Sequence, residues 1–222
     1  MKSPRILISL LVGIIALWLG ACDTPPEPRA PEQVAPVEDP TFGLVVIGDY
    51  GTGEEEAMDV AGEVREWVEA HGTDALVTTG DNVYPEAEPE YFDRAWVQPY
   101  GWVQDEGLAV VASLGNHDVD AEDEGRAVME LLDMPHRWYV RSIGDADIFA
   151  LDANQPEDEE QLAWLEDALA SSKAAWKIAV FHQPVFSCAK HDGTPDIVEE
   201  WVPIFEDNEV DLVLNGHDHT YQ

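Results

Sequence analysis

Five short apolar runs along this chain each end in a short polar motif, and this pairing constrains the fold more than any other feature. The runs cover residues 44–47, 75–78, 108–114, 177–181 and 210–214. Runs of that length, rich in Val, Leu and Ile, read as buried strands. The motifs behind them are Gly48-Asp49-Tyr50-Gly51, Gly80-Asp81-Asn82-Val83-Tyr84, Gly115-Asn116-His117-Asp118, His182-Gln183-Pro184 and Gly216-His217-Asp218-His219. Stretches of helical periodicity separate the runs. Residues 54–70 place Met58, Ala61, Val64 and Val68 on one face with Trp67 beside them, and 157–171 turns Leu162, Leu165 and Leu169 inward. Residues 196–205 read as a further helix and 90–103 as partly helical. Residues 137–142 and 147–151 read as two more strands joined by a turn at Gly144-Asp145. Repeated strand–helix alternation implies an α/β fold of mostly parallel sheet with right-handed crossovers. In such folds ligand sites form beyond the carboxyl ends of strands, which is where all five motifs fall.

The motifs offer carboxylates, a phenol, an amide and several imidazoles. That is too many donors for one tetrahedral ion, and the mixture of oxygen and nitrogen suits two adjacent metals. Two metals held close together serve in-line displacement at phosphorus. Taken singly, each residue has a plainer reading: an Asp after Gly is often a turn residue or helix cap, and a single His is usually structural or solvated.

The order and spelling of the motifs resemble the calcineurin-like metallophosphoesterases, and among them the purple acid phosphatases of the tartrate-resistant type. The resemblance covers residues 41–222. It implies a sandwich of two mixed β-sheets flanked by helices. In the wider group a His sits two residues after the first Asp, and here that place is Gly51. Tyr84, three residues after Asp81, stands in for it, as in the purple acid phosphatases. By this resemblance Asp49, Tyr84 and His219 hold one metal, expected to be Fe(III), and a phenolate is a hard donor suited to ferric iron. Asn116, His182 and His217 hold a second metal, expected to be Fe, Zn or Mn, and Asp81 bridges the two. His117 faces the substrate, with Asp118 expected to orient it. His191 is carried over as a second substrate contact, although Asp192 separates it from the Gly that usually follows. His71 is read as complementing a helix C-terminus, and His136 as structural.

The implied reaction is hydrolysis of a small phosphate monoester by a metal-bound hydroxide attacking phosphorus in line. His117 or His191 would protonate the leaving alcohol. A phosphodiesterase or nucleotidase on the same scaffold is the nearest alternative, and a non-catalytic binding lipoprotein is another.

With 222 residues the chain is long enough for one domain with a real core. Its net charge of −35 excludes nucleic acid as a partner, because phosphate backbones are bound by Lys and Arg. The same charge opposes steering of anionic substrates, so the metals must supply the local positive charge. Adaptation to salty surroundings and a generic acidic surface both account for the excess.

Lys2 and Arg5 precede an apolar run over 6–20, too short to span a bilayer comfortably. Leu19-Gly20-Ala21-Cys22 resembles the bacterial lipobox, which implies a signal peptide over 1–21 and a lipid anchor on Cys22. The expected location is the bacterial cell envelope, exported and anchored to a membrane on its periplasmic or extracellular face. An ordinary secretory signal and a signal anchor are the alternatives. Residues 22–40, with six prolines, read as a tether, and the domain follows over 41–222. With Cys22 lipidated, Cys188 is expected as a lone packing thiol. The sequence stops three residues past His219, whereas family members continue with further strands, so the expectation is a domain truncated at its C-terminus.

Overall fold

The computed structural model describes residues 42–220. The leader, Cys22 and the tether inferred above lie outside the described residues. Two sheets carry the fold. Strands β1 (Leu44–Ile47), β2 (Ala75–Thr78) and β3 (Ala109–Ala112) pair in the order β1-β2-β3, all parallel. Strands β4 (Tyr139–Ile143), β5 (Ala146–Ala150), β6 (Trp176–Val180) and β7 (Leu212–Leu214) pair in chain order. In the second sheet β4 and β5 form an antiparallel hairpin, and β5, β6 and β7 run parallel. Of the two expected mixed sheets, the first is therefore wholly parallel among the described residues.

Strand periodicity divides the core. Ile148, Ala150, Ile178 and Val180 face the first sheet and pack with Ala75, Val77 and Val111. The alternate residues Phe149, Leu151, Ala179 and Phe181 face the opposite way, because successive side chains leave a strand on opposite faces. They are covered by helices α5 (Glu159–Ser171) and α6 (Pro195–Asp207) through Leu165, Leu169, Ile197, Trp201 and Phe205. Helix α1 (Glu55–His71) turns Ala61 and Val68 inward. Met58 and Trp67 remain exposed, outside the apolar stripe expected for them. Strand β2 is buried at every residue, as befits a central parallel strand.

The sheets are joined by side chains reaching from β4 to β3. The Tyr139 hydroxyl donates to the Ala112 carbonyl at 3.0 Å and accepts from its N–H at 2.8 Å. Arg141 donates to the Val110 carbonyl at 3.0 Å. The Ala112 amide and the Ala112 and Val110 carbonyls on the open edge of β3 thus find partners without a fourth strand.

Residues 89–105 are helical nearly throughout: a 3-10 turn (Pro89–Tyr91), a π-helical turn (Asp93–Val97) and helix α2 (Gln98–Asp105). Two short helices follow β3, α3 (Asn116–Val119) and α4 (Arg126–Leu131). Cys188, expected as a lone thiol, is not free in the structure.

Candidate metal centre

The carboxyl ends of β1, β2, β3, β6 and β7 point to one place, and each of the five motifs begins there. Asp49 leaves β1 with φ 54° and Asp81 follows β2 with φ 52°. Non-glycine residues seldom hold this left-handed conformation. Here each Asp is fixed by its neighbours. The Asp49 amide donates to the Gly80 carbonyl at 3.1 Å, and its carboxylate accepts the His217 N–H at 3.0 and 3.1 Å. The Asp81 carboxylate accepts the His117 N–H through Oδ1 at 3.0 Å and the Tyr84 hydroxyl through Oδ2 at 2.7 Å.

Around these carboxylates the expected donors converge. His182 Nε2 lies 3.3 Å from Asp81 Oδ2, and Asp49, Asp81 and His182 together form a group able to hold a cation. The Tyr84 hydroxyl is 3.5 Å from Asp49 Oδ1 and 3.3 Å from His219 Nε2. His219 Nε2 is itself 3.3 Å from Asp49 Oδ1. His217 Nδ1 faces His182 Nε2 at 3.2 Å. Two grouped halves result, Asp49–Tyr84–His219 on one side and His182–His217 on the other, with the Asp81 carboxylate touching both. Asn116 opens α3 beside them, and its Oδ1 is buried without a hydrogen-bond partner.

The electrostatics are those of a site short of positive charge. Burial, with Asp81 close by, raises the Asp49 pKa despite His182 and His219. Burial opposes the Asp81 charge as well, but the contacts from His182, Tyr84 and the His117 amide outweigh it and lower the pKa. For His182 burial favours the neutral ring, and Asp81 and Asp49 overcome it and raise its pKa. Burial and the neighbouring His182 and His191 lower that of His217. Burial and the two carboxylates push the Tyr84 phenol far above its ordinary range. Among the described residues no Lys or Arg pairs with Asp49 or Asp81.

Metals meet each of these deficits. The His182 and His217 ring nitrogens, hydrogen-bonded to each other at 3.2 Å, could both serve an ion instead. A cation gives the Asn116 oxygen the partner it lacks. A cation also offsets the two close carboxylates and would lower the Tyr84 pKa. The His182 ring is already set for ligation, because its Nδ1 donates to the Thr79 carbonyl at 2.8 Å and leaves Nε2 facing the site. The residues present fit a metal centre.

The substrate-facing residues are distributed differently. The His117 Nδ1 lies 2.5 Å from the Pro85 carbonyl, so Nδ1 carries the proton and Nε2 is free. The ring packs 4.5 Å from that of Tyr84. The His191 ring lies 4.3 Å from that of His217, which brings its loop to the site. Asp118 does not orient His117, contrary to the expectation. Its buried carboxylate accepts the amide N–H groups of Asn82, Val83 and Gly115 and the Asn82 side-chain amide, at 2.8 to 3.2 Å. It therefore fixes the loop bearing Asp81 and Tyr84 against the start of α3. His71 and His136 contact their own neighbours, Trp67 and Trp138, away from the centre.

Two structural residues escaped the sequence reading although their motifs were quoted. Asn82 ties the ends of β2 and β3 together, accepting from the Thr78 and Tyr50 hydroxyls and donating to the Ser113 carbonyl at 2.9 Å. Asp218 accepts from Ser187 and from the His191 amide. Being polar, buried and inside a ligand motif was the available signal for both.

The calcineurin-like phosphoesterase family model matches residues 42–221. Purple acid phosphatase 17 of Arabidopsis thaliana is 31% identical over 221 residues, covering 83% of this chain and 64% of that protein. Tartrate-resistant acid phosphatase type 5 of Mus musculus is 26% identical, covering 96% of this chain and 74% of that one. Among solved structures, GAP50, the anchor in the inner membrane complex of Plasmodium, superposes with a TM-score of 0.67 at 20% identity, covering 79% of this chain and 65% of that one. That likeness concerns the fold alone. This chain thus spans about two thirds of the length of the curated relatives it matches. The match of the family model over the whole described region makes the chain a member of the calcineurin-like phosphoesterase family.

Proposed function

We propose that the chain hydrolyses phosphate monoesters at a dinuclear metal centre, as an acid phosphatase of the purple type. The observation that carries this reading is the Asp81 carboxylate. It touches the Tyr84 hydroxyl at 2.7 Å on the side of Asp49 and His219, and His182 at 3.3 Å on the side of His217. A carboxylate so placed suits a bridge between two ions. The first ion would be Fe(III), held by Asp49, Tyr84 and His219. The second would be Fe, Zn or Mn, held by Asn116, His182 and His217. Relatedness to purple acid phosphatases supports the same assignment.

When bound, the metals supply positive charge to phosphate oxygens and a water of lowered pKa. The chain's own residues do the rest. Asp49 and Asp81 fix the ligand loops through the backbone amides of His217 and His117. With Nδ1 donating to Pro85, His117 presents Nε2 to a substrate; that nitrogen accepts in the neutral ring, and only as the imidazolium can it donate a hydrogen bond or a proton to the leaving oxygen. His191 stands by His217 on the side of the second ion and is the alternative donor. Export and lipid anchoring through Cys22 belong to the same reading and rest on the sequence of residues 1–22 alone.

The test is turnover of p-nitrophenyl phosphate against its bis-ester, with metal content measured in parallel. The monoester should be preferred, and Asp81→Ala should abolish turnover and release at least one metal. Full turnover by Asp81→Ala would refute the dinuclear reading. Preference for the bis-ester would favour a phosphodiesterase.

A further inference from the structure

Among the described residues, the Asp218 carboxylate fastens the loop that carries His191 to the loop of His217 and His219. Asp218 lies between His217 and His219 in sequence and is buried. Its Oδ2 accepts the Ser187 hydroxyl, and its Oδ1 accepts the His191 N–H at 2.9 Å. Ser187 Oγ in turn accepts the Ala189 N–H at 3.0 Å. The loop closes on itself through an isolated antiparallel β-bridge between the backbones of Cys188 and Asp192 and through the Thr194 N–H, which donates to the Pro184 carbonyl at 3.0 Å. Asp218 thus grips the first arm of the hairpin at Ser187 and its return at His191. On its other side, the His217 amide is held by Asp49. A continuous path of hydrogen bonds runs from the Asp49 carboxylate through the backbone at His217 to the hairpin.

The grip has a geometric consequence. Lys190, Asp192 and Phe186 around His191 are exposed, so their side chains add little packing to this stretch. The His191 ring nevertheless stands 4.3 Å from that of His217. A backbone hydrogen bond to the residue itself, made by a charged acceptor, is the most direct constraint on where that ring can reach. Such bonds are stronger than neutral ones.

We infer that Asp218 is a positioning residue that holds His191 over the metal centre, so that its loss impairs use of the substrate but not retention of the metals. The inference deepens the phosphatase reading and rests on it for the role of His191. It predicts a specific pattern among variants. Asp218→Ala should lower kcat/KM for p-nitrophenyl phosphate about as much as His191→Ala does, on the order of tenfold or more. The double variant should be little worse than either single one, because the two residues act as a unit. Asp218→Asn keeps an acceptor for the His191 amide and should recover part of the loss. Metal content should stay at the wild-type level in all of them.

Amide hydrogen exchange in the metal-loaded full chain provides a readout independent of activity. The His191 amide should exchange markedly faster in Asp218→Ala, while amides of β6 remain protected. Unchanged exchange at His191, a multiplicative loss in the double variant, or loss of metal from Asp218→Ala would each overturn the inference. A wild-type protein inactive on every phosphate ester, yet showing the exchange response, would instead refute the phosphatase reading and leave the fastening of the hairpin established.

Discussion

Gly51 lies against the Asn82 carbonyl so closely that a Cβ added to it would sit 2.1 Å from that oxygen. The Asn82 carbonyl carbon and the Val83 nitrogen would follow at 2.3 and 2.5 Å. The contact is with backbone, and the Gly51 carbonyl also accepts the Tyr84 N–H at 3.0 Å. No side chain fits at position 51 while the loop stays where it is. The absence of a His at 51 and the placement of Tyr84 are therefore one structural fact: the loop that delivers the phenol occupies the space a side chain at 51 would need. Gly51→Ala should destabilise the protein by about 2 kcal/mol or more, as overpacking against fixed atoms does, and should loosen the metal centre. Gly62 is the control. It lies in α1 with nothing within 4 Å of its would-be Cβ, so Gly62→Ala should stabilise by about 0.5–1 kcal/mol. Urea unfolding of both variants decides the matter.

Tyr84 carries the second prediction. Burial and two carboxylates hold its phenol neutral unless a cation intervenes. Iron-loaded protein should show a visible charge-transfer band from a ferric phenolate, and Tyr84→Phe should lose it while remaining folded. The variant also removes a 2.7 Å hydrogen bond to Asp81, so metal content must be measured beside the spectrum. A colourless wild-type protein with two bound metals would argue against ferric iron.

Much of this was legible in the sequence, and the part that was not has a common cause. Strands β1 and β2 fall where their apolar runs lie, and Gly144-Asp145 forms the hairpin turn, with Gly144 at φ 55°. The short helices α3 and α4 were missed because one or two turns give too few residues for periodicity to register. Residues 90–103 were read as only partly helical because Pro89, Pro99 and Gly101 interrupt the pattern, and the structure makes 89–105 helical nearly throughout. The candidate donors could be named because their motifs resemble those of the purple acid phosphatases, and the structure brings them together because each motif follows a strand and the strand ends meet. The role of Asp118 could not, because it depends on which backbone amides lie across the gap between β2 and β3, and no spacing along the chain encodes that.

The buried position of Asp118 makes stability depend on pH in a definite direction. Burial pushes its carboxyl up to about 6, against a usual value of 3.8, despite the amides that donate to it. Between those values the native protein holds a proton that the unfolded chain releases. Stability of chelator-treated protein should therefore rise as pH falls from 7 toward 4, by up to about 3 kcal/mol from this group. Relief of repulsion among the acids, at a net charge of −35, acts in the same direction. Asp118→Asn separates the two contributions. Denaturant midpoints measured across this range should show a shallower slope for the variant, and an equal slope would assign the effect to overall charge.

Asn116 gives the sharpest contrast between the metal-free and metal-bound protein. Its Oδ1 is buried and unpartnered without an ion, an arrangement that costs about 1–3 kcal/mol. Replacing it by a residue of similar size without polar atoms removes that cost. Asn116→Leu should therefore be at least as stable as wild type in the presence of a strong chelator. With metals added the order should reverse, because ligands that bind only the native state stabilise it in proportion to their affinity. Wild type should gain more in melting temperature on titration with Zn(II) than the variant does. A variant less stable than wild type under chelation would mean that the Asn116 amide serves the fold rather than the metal, and would remove Asn116 from the ligand set.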